Sequence, residues 1–271
     1  MGGASGGTDL LRASHPGPTV AVTLLTALLA VAAGTGWERG VLVTTAVLAG
    51  QPTIGWSNDL VDADRDRSAG RTDKPVAMGS VSRASVNVAL LLSVVAAVAL
   101  SAMTGWPSAS VHLVLVVGSG WAYNLGLKST VWSWVPYAMA FGSLPAVVWL
   151  AADPASLSLP PAWMMLVGAV LGVGAHLLNV LPDLADDELT GVRGLPHRLG
   201  ERRVRLLAPL LLLAGAVVVV LAPRDDIPVW AWAALAVSAV LAALAWATRG
   251  STPFIAAMLL ALVNVAGLVL R

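Results

Sequence analysis

Nine stretches of this chain are long and apolar enough to cross a lipid bilayer, which constrains the fold more than any other feature. They occupy 18–34, 40–58, 84–103, 109–126, 132–151, 162–182, 204–222, 228–247 and 253–270. A helix needs about 20 mainly apolar residues to traverse the hydrocarbon core. Charged residues make up only 11% of the chain and hydrophobic ones 57%, where a soluble domain carries roughly 25% charged residues. The mean hydropathy is +0.80. The expectation is an all-α membrane protein of about nine transmembrane helices, occupying 18–271 behind a flexible Gly/Ser/Pro-rich tail over 1–17. That tail lacks a basic leading region, so the first apolar run reads as a retained helix rather than a signal peptide. With no cysteine in the chain, disulfides and thiolate metal sites are excluded. The excess of arginine over lysine, with Ala and Val dominant, points to a high-GC bacterial genome and hence a bacterial cell membrane.

Basic residues orient the spans. With the N-terminus in the cytoplasm, thirteen of them fall on the inner side: Arg12, Arg65, Arg67, Arg71, Lys74, Arg83, Lys128, Arg193, Arg198, Arg202, Arg203, Arg205 and Arg249. Only Arg39, Arg224 and Arg271 fall outside. This asymmetry obeys the positive-inside rule.

Two inner connections exceed twenty residues, and each carries a cluster of carboxylates at the end of an apolar span. The first is Asn58-Asp59-Leu60-Val61-Asp62-Ala63-Asp64-Arg65-Asp66; the second is Asp183-Leu184-Ala185-Asp186-Asp187-Glu188. Asn58, Asp62, Asp66, Gly70 and Pro75 align without a gap on Asn179, Asp183, Asp187, Gly191 and Pro196. Each copy follows an even-numbered span, four spans apart, the pattern of a duplicated four-helix unit whose interface holds the functional site.

Residues four apart share a helical face. Asn58, Asp62 and Asp66 therefore form one stripe with Asp59 beside it. Asn179, Asp183 and Asp187 form another, flanked by Asp186. Asp64 points away and reads as solvated. Two facing stripes of hard oxygen ligands suit Mg²⁺, which is commonly held by a few carboxylates plus substrate phosphates. Two such ions would neutralise a diphosphate, and the arginines and lysines just downstream would take its remaining oxygens. The plainer reading is a pair of solvated loops with balanced charge; two matching clusters on one side of the membrane argue against it. An EF-hand over Asp62–Asp73 fails at its sixth position, where Arg67 stands in place of glycine. A transporter would carry its charges near mid-membrane, whereas these lie at helix ends.

The first cluster, followed by Arg71-Thr72-Asp73-Lys74-Pro75, resembles the first aspartate-rich signature of the UbiA superfamily of intramembrane prenyltransferases. Asp183-x3-Asp187 is similar to the second, more variable motif. Tyr123-Asn124-x3-Lys128-x-Thr130 resembles a third element, with Asn124 in place of serine and Ser129 in place of arginine. The resemblance covers almost the whole chain. It implies a helical bundle around a central cavity open sideways to lipid, two Mg²⁺ ions, and a prenyl diphosphate whose group passes to a lipophilic or aromatic acceptor. Transferred by position, Asp62, Asp66, Asp183, Asp187 and Lys128 are the catalytic candidates. Asn58, Arg71, Lys74, Tyr123, Asn124, Asn179 and again Lys128 are the diphosphate-binding candidates. Asn58, Asp59, Asp62, Asp66, Asp183, Asp186 and Asp187 are the metal candidates. A terpene cyclase, which ionises the same diphosphate without an acceptor, would carry the same metal site; nothing points to nucleic acid. The chain departs from the family pattern at Ser14-His15-Pro16, where members that prenylate aromatic acids carry Arg-Pro, so His15 reads as an interfacial residue or an acceptor contact. Trp56, Trp121, Tyr123, Trp132, Trp134 and Tyr137 lie where aromatic faces could steady a cation or simply sit at the interface. His176 reads as a packing residue or, less readily, as a proton carrier.

Overall fold

The computed structural model describes residues 3–184, 187, 191–222, 227–249 and 252–269. Among them the secondary structure is helical throughout, with no strand. Helix α1 (Gly3–Ala13) leads into α2 (Pro16–Ala32), α3 (Trp37–Ser68) and a short α4 (Pro75–Met78). Then come α5 (Arg83–Met103), α6 (Trp106–Ser110) and α7 (Gly118–Asn124), the last two joined by a π-helical segment over Val111–Val117. Helices α8 (Val135–Ala152) and α9 (Ala162–Val180) are followed by α10 (Leu195–Leu199), α11 (Glu201–Leu221), α12 (Val229–Ala247) and α13 (Thr252–Val269). By length and composition, five helices can cross a membrane, or six if α1 and α2, bent by 60° to one another, form a single span. Large apolar side chains crowd the outside, such as Leu91, Leu92 and Val95 along α5. A contiguous apolar surface of this kind is foreign to a soluble monomer and natural against lipid.

Small residues let the helices approach closely, as is common where no water drives association. A Cβ on Gly172 of α9 would lie 2.6 Å from the Tyr137 carbonyl of α8, and one on Gly168 would strike the Phe141 carbonyl. Val147, Val148, Leu177, Leu178 and Leu212 are fully buried where α8, α9 and α11 meet.

Two segments differ from the sequence expectation. Within residues 1–17, expected as a tail, α1 forms and is held by Trp56, whose Nε1 donates to the Leu10 carbonyl at 2.9 Å. The first acidic cluster, expected in a connection, rides on α3 itself, which continues ten residues past the apolar run ending at Asn58. The turn between α1 and α2 nests against α3 because residue 55 is glycine; a Cβ there would collide with the Ser14 carbonyl. His15 makes this turn in the left-handed region (φ 55°), a conformation that costs a non-glycine residue about 1–3 kcal/mol.

Candidate active site

Helix α3 presents Asn58, Asp62 and Asp66 at the four-residue spacing of one face. Asn58 Nδ2 donates to Asp62 Oδ2 at 3.0 Å and to Asn124 Oδ1 at 3.3 Å. Asn124 in turn bolts α7 onto α3, donating to the Ile54 carbonyl and to Ser57 Oγ, both at 2.8 Å. Asp62 is buried and ion-paired with Lys128 and Arg65. Lys128 reaches it from a short 3₁₀ turn, Leu127–Ser129, that follows α7. Burial lowers the Lys128 pKa, and Asp62 opposes the shift. Asp66 Oδ2 is buried with no hydrogen-bond partner among the described residues. Its carboxyl is held above the usual range, first by burial and then by the charge of Asp62.

Asp59 faces elsewhere. It is 1% exposed, and its Oδ1 accepts from Lys74 Nζ at 3.0 Å and lies 3.2 Å from His15 Nε2. Lys74 also donates to Asn58 Oδ1 at 3.3 Å. This group ties the α1–α2 turn to the acidic face of α3. Asp64 is exposed and engaged by Arg83 and Arg67, in keeping with a solvated residue.

The second cluster arrives differently from the first. Helix α9 ends at Val180 and a 3₁₀ turn, Leu181–Asp183, follows. Pro182, which has no N–H to offer the helical ladder, stands where the first copy has Val61. Asn179, Asp183 and Asp187 therefore do not share an uninterrupted α-helical face. The copies nevertheless end alike. Gly70 and Gly191 both take positive φ, 69° and 82°. Arg71 N donates to the Asp66 carbonyl at 3.0 Å, and Val192 N donates to that of Asp187 at 2.9 Å. The two clusters meet through Arg71, whose Nη1 lies 3.2 Å from Asp183 Oδ1 while its Nε and Nη2 each donate to Asp73 at 2.8 Å. That fork holds Asp73 down to about 2. Burial, with Asp183 next in effect, pushes Asp187 up to about 6; His197 Nε2 lies 3.6 Å from its Oδ2. The metal candidate Asp186 lies outside the described residues. Among the described residues no three carboxylate or imidazole groups already converge as a metal cage.

A cavity of about 220 Å³ takes Asn58 and Asn179, the leading residue of each acidic segment, into its lining, while Asp62, Asp66, Asp183 and Asp187 are not among its lining residues. His15, Asn58, Asn124 and Asn179 supply polar atoms to its lining, and its walls are aromatic and aliphatic. Tyr123 and Tyr137 meet edge to face at 5.4 Å, and Phe141 stacks on Tyr137 at 6.4 Å. Asn179 Nδ2 donates to the Tyr137 hydroxyl at 3.1 Å, which fixes that ring. Trp56, Trp121, Trp132 and Trp134 are not among the lining residues.

Several contributors escaped the sequence reading. Arg65 pairs with Asp62 one turn away. Gln51, buried in the cavity wall, lies on the face of Gly55 and Asn58 at i+4 and i+7, a periodicity that could have disclosed it. Ser133 Oγ accepts from Leu195 N at 2.9 Å and lies 3.1 Å from His176 Nε2, linking the second cluster's connection to the aromatic wall. No local pattern signals that link.

An all-helical bundle of membrane type, with two acidic segments joined over an apolar cavity, is the class of protein these features define. The chain belongs to the UbiA prenyltransferase family, whose model matches residues 19–267. A UbiA homologue from Aeropyrum pernix K1 is similar in fold, with a TM-score of 0.76 at 17% identity over 93% of this chain and 97% of that one. A homologue from Archaeoglobus fulgidus, bound to GPP and Mg²⁺, gives 0.68 at 17% identity over 97% and 100%. A structure described as digeranylgeranylglyceryl phosphate synthase gives 0.63 at 14% identity over 97% and 96%. No curated protein matches the sequence.

Proposed function

We propose that this protein transfers an isoprenyl group from a prenyl diphosphate to a lipophilic or aromatic acceptor within the membrane, with Mg²⁺ as its cofactor. The observation that carries the reading is that Asn58 and Asn179, at the head of the two acidic segments, both line one aromatic-walled cavity, while Arg71 reaches across to Asp183. Similar folds bound to GPP or DMAPP with Mg²⁺ support it.

The residues fit a divalent cation. Asn58, Asp62, Asp66, Asp183 and Asp187 offer hard oxygens of the kind Mg²⁺ takes, and the buried Asp66 Oδ2 lacks a partner among the described residues. Those five residues would hold the two ions; Asp59 faces Lys74 and His15 instead. When bound, Mg²⁺ supplies Lewis-acid neutralisation of the diphosphate oxygens. Lys128, Arg71 and Lys74 hold those oxygens and stabilise the charge gathering on the leaving group. The allylic C–O bond breaks, and the diphosphate leaves with the electron pair. The faces of Tyr123 and Tyr137 steady the allylic cation, and the apolar walls keep water from quenching it. An acceptor carbon or oxygen then forms the new bond and releases its proton. Asn124 and Asn179 act by placing Asn58 and Tyr137.

In the bilayer the reading has α2, α3, α5, the α6–α7 rod, α8, α9, α11, α12 and α13 as nine spans. The N-terminus and the acidic rim then face the cytoplasm. The matching turns at Gly70 and Gly191 support an ancestral four-helix duplication.

Purified protein given Mg²⁺, a prenyl diphosphate and candidate acceptors should release diphosphate only when metal is present. Replacing Asp62 and Asp183 together by alanine should abolish that release; undiminished release in the double variant would overturn the assignment. Product formed without any acceptor would mark a cyclase instead.

A further inference from the structure

The hydrogen bonds of the cavity wall leave the Gln51 amide out. Asn58 Nδ2 is engaged by Asp62, Asn124 Nδ2 by the Ile54 carbonyl and Ser57, and Asn179 Nδ2 by the Tyr137 hydroxyl. The Ser14 hydroxyl donates to the Leu11 carbonyl at 2.7 Å, and that of Thr19 to the His15 carbonyl at 3.2 Å. Gln51 lines the same cavity and is 8% exposed, yet its amide has no hydrogen-bond partner among the described residues. A glutamine inside an apolar span ordinarily ties two helices together through its amide; Gln51 ties none. A buried amide without a protein partner is unfavourable, so its partner belongs to what fills the cavity.

Charge narrows what that partner is. Among the described residues no lysine, arginine, aspartate or glutamate lines the cavity. Lys74 is bound to Asp59, Lys128 to Asp62, and Arg71 to Asp73 and Asp183. His15, which does line it, has its Nε2 3.2 Å from the buried Asp59 carboxylate. A carboxylate entering from the bilayer side would lose its hydration and meet no free cation. Gln51 lies two turns, about 10 Å, along α3 from Asn58, an interval that one ring system spans. We propose that Gln51 binds the acceptor by pairing its amide with an uncharged hydroxyl or carbonyl, and that this acceptor is a neutral hydroxylated ring rather than an aromatic acid; the inference rests on the prenyl-transfer reading above. The amide offers both a donor and an acceptor. A water held there is displaced without loss only by a group that replaces its hydrogen bond, which hydrocarbon does not. Gln51 has no proton to exchange, so it orients the acceptor and takes no part in the bond change.

The test varies the acceptor with donor and Mg²⁺ fixed, using phenols and naphthols beside their ring-carboxylated counterparts. In the wild type kcat/KM should be higher by about tenfold or more for the neutral member of each pair. Gln51→Leu should raise the acceptor KM by about tenfold, while donor KM and thermal protection by donor with Mg²⁺ stay within about twofold. Gln51→Arg places a cation in the wall and should turn the preference toward the carboxylated member, an outcome that a merely structural residue would not give. Should the leucine variant fail to fold, Gln51→Met keeps the length of the side chain, removes its amide, and should raise acceptor KM in the same way. A wild type that is indifferent or prefers the carboxylated members overturns the proposal and leaves prenyl transfer intact. So does a folded Gln51→Leu or Gln51→Met variant with unchanged acceptor KM, or with a rise confined to donor KM. Metal-dependent product with no acceptor present, or no product with any acceptor, overturns the transfer reading and this inference with it.

Discussion

Asp62 is gripped by partners from two regions of the chain: Asn58 and Arg65 on its own helix, and Lys128 from beyond α7. If Lys128 stabilises the departing diphosphate, Lys128→Met should lower kcat by about 10²–10³-fold. Donor KM should change far less, as steady-state kinetics can check. Asp187 gives a pH signature. Its carboxyl is raised to about 6, so the folded metal-free protein binds a proton that the unfolded chain releases nearer pH 4. The contribution of this group to stability is thus most favourable at low pH and is lost as pH rises through 6. If Asp187 holds Mg²⁺ as proposed, the metal would need the ionised form, and its affinity should rise between pH 5 and 7. Thermal melts at both pH values, with and without Mg²⁺, should show the metal's stabilising effect growing with pH, and Asp187→Asn should flatten the trend. Asn58, Asp62 and Asp66 were legible in sequence because a four-residue spacing is a helical face. The grip on Asp62 was not, since Lys128 lies 66 positions away and only the fold brings it near.

Helix α3 does two jobs along its 32 residues. Its apolar part packs on α2 and α5, and its charged end carries the first acidic stripe. The nine apolar runs predicted helices, and among the described residues helical segments occupy those places, five or six of them long and apolar enough to cross a membrane. Their ends were less legible, because a helix leaving lipid for water keeps its hydrogen bonds while losing its apolar character. Hydropathy therefore stopped at Asn58 where the backbone continues to Ser68. The second stripe misled in the opposite direction: the spacing suggested a helical face, and Pro182 breaks it. At the α1–α2 joint, Gly55→Ala would push a methyl into the Ser14 carbonyl. The expected cost is about 1–3 kcal/mol, seen as a lower melting temperature. Because Ser14 and His15 line the cavity, the same variant should also weaken any thermal protection that a prenyl diphosphate with Mg²⁺ gives.

For the molecule as a whole, the orientation across the membrane can be read by chemical labelling, since the chain has no cysteine to remove first. Ser80, in the exposed turn after α4, and Ser156, in the exposed connection between α8 and α9, should lie on opposite sides. In intact cells an impermeant maleimide should label Ser156→Cys and spare Ser80→Cys; the reverse pattern would invert the topology. The pairing of the acidic rim with its own cations has a wider consequence. Asp62 is already balanced by Lys128 and Arg65, and Asp183 by Arg71. A metal ion arriving alone would have to evict those cations, and a diphosphate arriving alone would have to evict the carboxylates. When both arrive, each takes the partner the other sets free. If the rim holds metal and donor as proposed, it would act as a coincidence detector: each would strengthen the other's binding, reciprocally and by the same factor. On that reading the barrier to ionisation of the donor would fall only once both halves of the salt are in place.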